Sequence, residues 1–435
     1  MKKRDTERRY KSLLEKDYLK AIISDLALRF DFTQDSWMCQ TIVDKFNQTL
    51  QNWEKENHIE RLKPGDLLLP YKGELIVVPL FDKGAIDILV ETKLFQPYKK
   101  RMIDKVFDLL KSIDIQASLE DVHSLISLRD TIPRSQPGTH LYDLEIDPSF
   151  PLINPNDIQL KRPELKLVDV DSHSHSHSHI PPIDIKNNLI NYCVDQLGLK
   201  PFVAQNILDY FLEIRSYFLP LKSAIQPGQF IWLGTSYKKS KKVGCVQIQR
   251  KQIPIVLTLY SPEEINIKTR PKNLIELNEQ MMNQLARITT EAYLQETLLS
   301  DDELQLFYLR SATVIGKLIR KYMKVNKVIL PTPGSILDAG TMFTHKELII
   351  DLSMQGYYTK EIARKTYHDP RSVDSYLKVF NSILVLWYYN LPPSLISMVT
   401  EKGVKVVKEH INILIKYFPD RDSIKNYLNQ IGIAV

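Results

Sequence analysis

Three cysteines are spread over 435 residues, Cys39, Cys193 and Cys245, an odd number with no CxxC spacing. That excludes a disulfide framework and a thiolate zinc site, and it is the usage of reduced thiols in a cytoplasmic protein. Nowhere do about 18 uncharged apolar residues follow one another, and the opening MKKRDTERRYKSLLEKDYLK is basic and helix-forming without an apolar core. Neither a membrane span nor a secretory leader is expected. The phosphate-cradling GxxxxGK[ST] and the dinucleotide GxGxxG are both missing, so no nucleotide cofactor is called for. Strong basicity is absent too: a formal charge of +6 and a pI near 8.8 suit a polyanionic partner without reaching the level of a histone-like protein.

What is present is an ordinary globular balance, 43% apolar and 25% charged residues, over a length sufficient for two to four domains. The clearest break runs from Leu152 to Pro182, where prolines, acids and the alternating Ser172-to-His179 tract interrupt all hydrophobic periodicity. It reads as an exposed linker. Alternating imidazoles can gather a zinc or nickel ion, but no neighbouring scaffold or supporting shell is evident, so no metal site is assigned.

Across that linker the chain repeats itself. Gln40, Ile42, Asp44 and Phe46 recur as Gln205, Ile207, Asp209 and Phe211, each set on an amphipathic helical stretch. Lys63-Pro64-Gly65-Asp66 and Gln226-Pro227-Gly228-Gln229 then each make a turn before strand-like segments. DLLLPY, GELIVVPLF and AIDILVET read as strands on one side, and GQFIWLG, CVQIQRKQ and PIVLTLY on the other. SLEDVHSLISLRD pairs with LSDDELQLFYLRS, and Gln136-Pro137-Gly138 with Thr332-Pro333-Gly334. Four matches in one order point to an old duplication.

The strongest signal is GYYTKEIARKTYHDPRSVDSYLKVF, from Gly356 to Phe380. A helix-turn-helix needs apolar residues on both inner faces, a small residue at the crossing and a short turn. Ile362, Val373 and Leu377 supply the faces, Ala363 the crossing, Tyr367-His368-Asp369 the turn, and Pro370 a favoured first helical position. Arg371, Ser372, Ser375 and Lys378 are then candidates to reach base edges and phosphates. The pattern recurs from Pro393 to Tyr417, with Ile396 and Ser397 at the crossing, Val407 inside, and Lys402, Lys405 and Lys408 as exposed cations. A further copy precedes both, from Ser300 to Lys327, with Leu304, Ile315 and Ile319 inside and Arg310-Ser311 in the turn. It departs from the pattern at Gln305 and Leu309, where a small residue and a glycine are usual. Its second helix carries Lys317, Arg320, Lys321, Lys324 and Lys327 at spacings of three and four, a stripe suited to tracking phosphates.

This part of the chain resembles the domain-of-unknown-function family 1670 of bacteria and archaea. The resemblance rests on Gly228-Gln229-Phe230-Ile231-Trp232, on Pro254 to Leu259, and on LPTPGSILDAGTMFTHKELI, and it runs over about residues 187–419. What it implies is an architecture ending in helix-turn-helix units, with no established activity to carry over.

Catalytic readings find little support. A transposase or nuclease of the RNase H type needs carboxylates on adjacent strand ends around two metal ions about 3.5 to 4 Å apart. Asp82, Asp87 and Glu91 lie near the first predicted sheet, but the second has no equivalents. A recombinase nucleophile does not stand out among 21 tyrosines. His345 follows Thr344, which reads as an N-cap with Glu347 completing a capping box, so His345 and Lys346 face phosphates or serve the helix start.

The expected protein is α+β and α-rich, with two small sheet-containing regions followed by an array of helix-turn-helix units. Its divisions are an N-terminal α+β domain (1–150), the linker (151–182), a second α+β domain (183–283), a first helix-turn-helix region (284–338) and a tandem helix-turn-helix domain (339–435). The expected partner is double-stranded DNA, bound by a regulator or a replication or mobile-element protein with no catalytic residues. The alternatives are a helical assembly protein and a DNA recombinase or transposase.

Overall fold

The computed structural model describes residues 10, 13–32, 36–71, 73–92, 95–112, 155, 158, 180–238, 251–265, 271, 273–336 and 343–433. The repeat segments at 118–130 and 136–138, nearly all of the linker with its His tract, and Cys245 lie outside the described residues. The chain divides into two compact units, residues 1–319 and 320–435. In unit 1 the elements are α1 (Tyr18–Arg29), α2 (Ser36–Glu56), β1 (Asp66–Tyr71), β2 (Glu74–Pro79), α3 (Lys83–Thr92), α4 (Phe95–Ser112), α5 (Ile183–Leu197), α6 (Pro201–Phe218), β3 (Gln229–Ser236), β4 (Gln252–Thr258), α7 (Leu274–Leu294), β5 (Thr297–Leu298) and α8 (Asp301–Tyr308). The division falls inside α9 (Ala312–Asn326). Unit 2 continues with α10 (Phe343–Met354), α11 (Thr359–Thr366), α12 (Pro370–Tyr388), α13 (Pro393–Thr400), α14 (Val404–Tyr417) and α15 (Arg421–Gln430).

The two repeats are built alike and pack on each other. Asp17 caps α1 by accepting from the Leu19 and Lys20 amides, and Pro201 opens α6 where a missing N–H costs nothing. Gln40 donates to Asp44 at 3.2 Å on α2, and Gln205 makes the same i,i+4 bond to Asp209 at 2.9 Å on α6. Ile42 and Ile207 are both buried, and the matched Phe46 and Phe211 rings meet edge to face at 5.4 Å in one core. These paired residues thus make matching local bonds and share one core.

The strands carry the correspondence further. Sheet order is β2-β1-β3-β4, all antiparallel, with short β5 added to β3. The Gly65 amide donates to Ile231 O at 2.7 Å, and the Gly228 amide donates to Leu68 O at 2.7 Å. Inside the two turns the Lys63 amide donates to Asp66 Oδ2 at 2.8 Å and the Gln226 amide to Gln229 Oε1 at 3.2 Å. Both glycines sit at positive φ, +96° and +85°, which explains the residue type. The strand-bearing stretches expected as two regions therefore form one sheet. A two-stranded ribbon is marginal alone, whereas joining β1 to β3 buries Leu67, Leu68 and Leu69 alongside Phe230, Ile231 and Trp232.

One predicted strand is a helix. AIDILVET falls in α3, where Asp82 Oδ1 accepts the Ala85 amide at 2.7 Å and Ala85, Ile86 and Leu89 are buried at helical spacing. A short apolar run does not separate the two periods by itself, and the aspartate cap decides for the helix.

Among the described residues, the outer edge of β4 is closed by side chains rather than by another strand. Thr258 N–H donates to Glu291 at 2.7 Å, Arg287 Nε donates to Thr258 O at 3.1 Å, and Gln295 accepts from Val256 N–H at 3.0 Å while donating to Val256 O at 2.7 Å. Arg287, Glu291 and Gln295 are four residues apart on or just past α7, so they form one row opposite alternate strand residues. This is why a buried helix carries charged side chains. Burial is the main influence on the Glu291 carboxyl and raises it to about 7.

Candidate nucleic-acid interface

The three expected helix pairs are all present and share one local geometry. Each first helix is eight residues long: α8, α11 and α13. Each ends on a non-glycine residue in the left-handed region: Leu309 at φ 47°, Tyr367 at 54° and Glu401 at 53°. The next amide returns to the fifth residue of the helix in every case: Arg310 N–H to Gln305 O at 3.3 Å, His368 to Ala363 at 3.0 Å and Lys402 to Ser397 at 3.3 Å. This wrapped helix end satisfies a terminal carbonyl and turns the chain sharply into the second helix. Leu304, Ile362 and Ile396 are fully buried at one register position, and Ile315, Val373 and Val407 at another. Ala363 is buried at its crossing, whereas Leu377 is only half-buried.

On the middle pair, Arg371, Ser372, Ser375 and Lys378 are exposed over the first half of α12. Asp369 caps this helix by accepting the Arg371 amide at 2.8 Å, so a carboxylate already serves its N-terminus. Cationic side chains must supply any phosphate contact here. Asp374 shares the exposed face and accepts from the Thr359 hydroxyl at 2.9 Å, tying the start of α11 to α12. Outside the expected set, Lys360 and Arg364 of α11 are exposed one turn apart, and Lys365 lies 4.9 Å over the Tyr357 ring. Their signal is the cluster of cations in TKEIARK, on either side of the buried Ile362 and Ala363.

On the last pair Lys402, Lys405 and Lys408 are exposed, as expected. Lys346 on α10 is half-buried, and the His345 side chain lies outside the described residues. Helix α10 is described from Phe343 onward, and the side chain of Thr344, the expected cap, lies outside the described residues. Glu347 accepts from Lys416 of α14 at 3.0 Å, with Asp351 of α10 beside the same ammonium.

The first pair differs in its surroundings. Glu303 through Leu309 are buried, so α8 is enclosed within unit 1. Glu303 pairs with Lys16 at 2.7 Å and accepts the Trp232 indole N–H at 2.6 Å, and Gln305 accepts the Tyr10 hydroxyl at 3.1 Å. The unusual glutamine at the crossing thus links the pair to the N-terminal segment. Of the proposed stripe on α9, Arg320 and Lys324 are exposed, as is Lys327 just beyond it, while Lys317 and Lys321 are half-buried and engaged with other groups.

The proposed carboxylate set does not assemble on strand ends. Asp82 caps α3 and pairs with Lys105, which holds its carboxyl below the ordinary range despite partial burial, and Asp87 and Glu91 belong to α3. Among the described residues no group of three or more His, Cys, Asp or Glu side chains could hold a metal ion, and no helix is long and apolar enough to cross a membrane.

These features define an α-rich α+β protein with three helix pairs that share one turn geometry. Residues 200–413 match the family described as Protein of unknown function (DUF1670), and over that segment the chain carries this family's pattern. Neither the curated proteins nor the solved structures yield a match.

Proposed function

We propose that the protein is a sequence-specific binder of double-stranded DNA, with the pair α11–α12 as its principal contact. One observation carries the reading: a tightly turned helix pair exposes Arg371, Ser372, Ser375 and Lys378 on its second helix and Lys360 and Arg364 on its first. In this arrangement the second helix enters the major groove and the first crosses the backbone. Arg371 can donate in bidentate fashion to guanine, the serines accept or donate at base edges, and the lysines neutralise phosphates. The pair α13–α14 adds Lys408. Such a protein acts as a regulator or in replication or mobile-element biology from the cytoplasm.

The enclosure of α8 favours a second reading for the first pair alone, in which it is a packing element of unit 1. Selection of bound duplexes from a random pool tests the proposal. An enriched motif whose enrichment is lost with Arg371→Ala supports it, and recovery of no motif refutes sequence-specific binding.

A further inference from the structure

The middle and last pairs share their backbone turn but differ in what they show to solvent. Glu361, Arg364 and Lys365 of α11 correspond, 34 positions on, to Leu395, Met398 and Val399 of α13. Those three apolar residues stand at i, i+3 and i+4, on one side of the helix, and are 37%, 70% and 55% exposed. Val404, at the start of α14, is a further 43% exposed. One pair carries a charged outer face, and the other carries apolar residues at the same positions.

We propose that α13 and the start of α14 form a self-association face, whose partner is a second copy of this chain. The rim points to that occupant. Glu401, Lys402 and Lys405 are exposed around the turn beside the apolar residues, so both signs of charge border one small patch. Across a two-fold axis Glu401 of one copy meets the lysines of the other, whereas a uniformly acidic or basic partner leaves one sign opposed. The size of the patch sets the strength. Four such side chains present on the order of a few hundred Å², against roughly 800 Å² per partner in a standard stable interface, so the dimer is weak when unassisted. Resting on the DNA reading, the association becomes effective when two copies bind neighbouring sites and raise each other's local concentration.

Sedimentation of the full-length protein without DNA tests the face directly. The expected result is a reversible monomer–dimer equilibrium, with a dissociation constant raised at least about tenfold by Met398→Arg, as loss of a central apolar contact requires. Glu401→Lys weakens it as well, and adding Lys402→Glu to that variant restores it. Circular dichroism of each variant checks that the fold is kept, as expected for exposed positions. On a duplex long enough for two copies, wild type binds cooperatively and Met398→Arg does not. A protein that stays monomeric at all concentrations, or a dimer indifferent to Met398→Arg, overturns the proposal. A chain that dimerises through this face yet ignores duplex DNA removes the DNA reading and leaves the face standing.

Discussion

Replacing Glu291 by glutamine removes one ionisable group from the edge of the sheet while keeping an oxygen that can accept the Thr258 amide. The carboxyl is raised from 4.5 to about 7, chiefly by burial. An acid raised in the folded state binds its proton more tightly there than in the unfolded chain. Its contribution to stability is complete below pH 4.5 and is lost as pH climbs through 7. At about 1.4 kcal/mol per pH unit, ionisation costs the fold on the order of 3 kcal/mol. The Gln variant carries no such cost. Its stability relative to wild type therefore rises by about that amount between pH 4 and pH 8. Urea unfolding of both proteins across this range gives the difference, in which other titrating groups cancel. Hydrogen exchange at the Val256 and Thr258 amides reports the same edge locally, with wild-type protection falling toward pH 8 and the variant's holding. Parallel stability profiles for the two proteins would refute the assignment of a buried, proton-binding Glu291.

Two substitutions test the packing that positions the helix pairs and the sheet. Gly228→Ala adds a Cβ 2.0 Å from Tyr260 O at a φ of +85°, and backbone strain with overpacking costs about 2 to 5 kcal/mol, measured as a lowered urea midpoint. Ala363→Leu crowds the crossing of α11 and α12 and costs roughly 1 to 3 kcal/mol, with duplex binding lost alongside the fold.

Much of this architecture was legible because local chemistry and tertiary role coincide. The motif of Gln40 to Phe46 and its copy at Gln205 to Phe211 pair polar i,i+4 neighbours outside with apolar residues inside, so similarity of sequence carried similarity of local structure. The helix pairs were readable down to the register of Ile362 and Val373, since inner faces and turn are local properties. What escaped the sequence was set by distant contacts. The joining of β1 to β3 depends on amides of Gly65 and Gly228 reaching across 166 and 160 residues, and no local pattern announces that. The charged residues of α7 look like a solvated face until the bare edge of β4 is beside them. Likewise, Lys317 and Lys321 fit a clean basic stripe by spacing, yet both are half-buried and engaged.

The central claim, duplex binding through α11–α12, is tested most directly by measuring affinity for a selected duplex at several salt concentrations. The account predicts a linear fall of log affinity with log salt, and a slope flattened by about 0.9 for each of Lys360→Ala, Arg364→Ala and Lys378→Ala. Arg371→Ala is predicted to cost about 1 to 3 kcal/mol on the selected sequence and little of that on a scrambled one. Absence of duplex binding, or slopes that all three lysine and arginine variants leave unchanged, would contradict it.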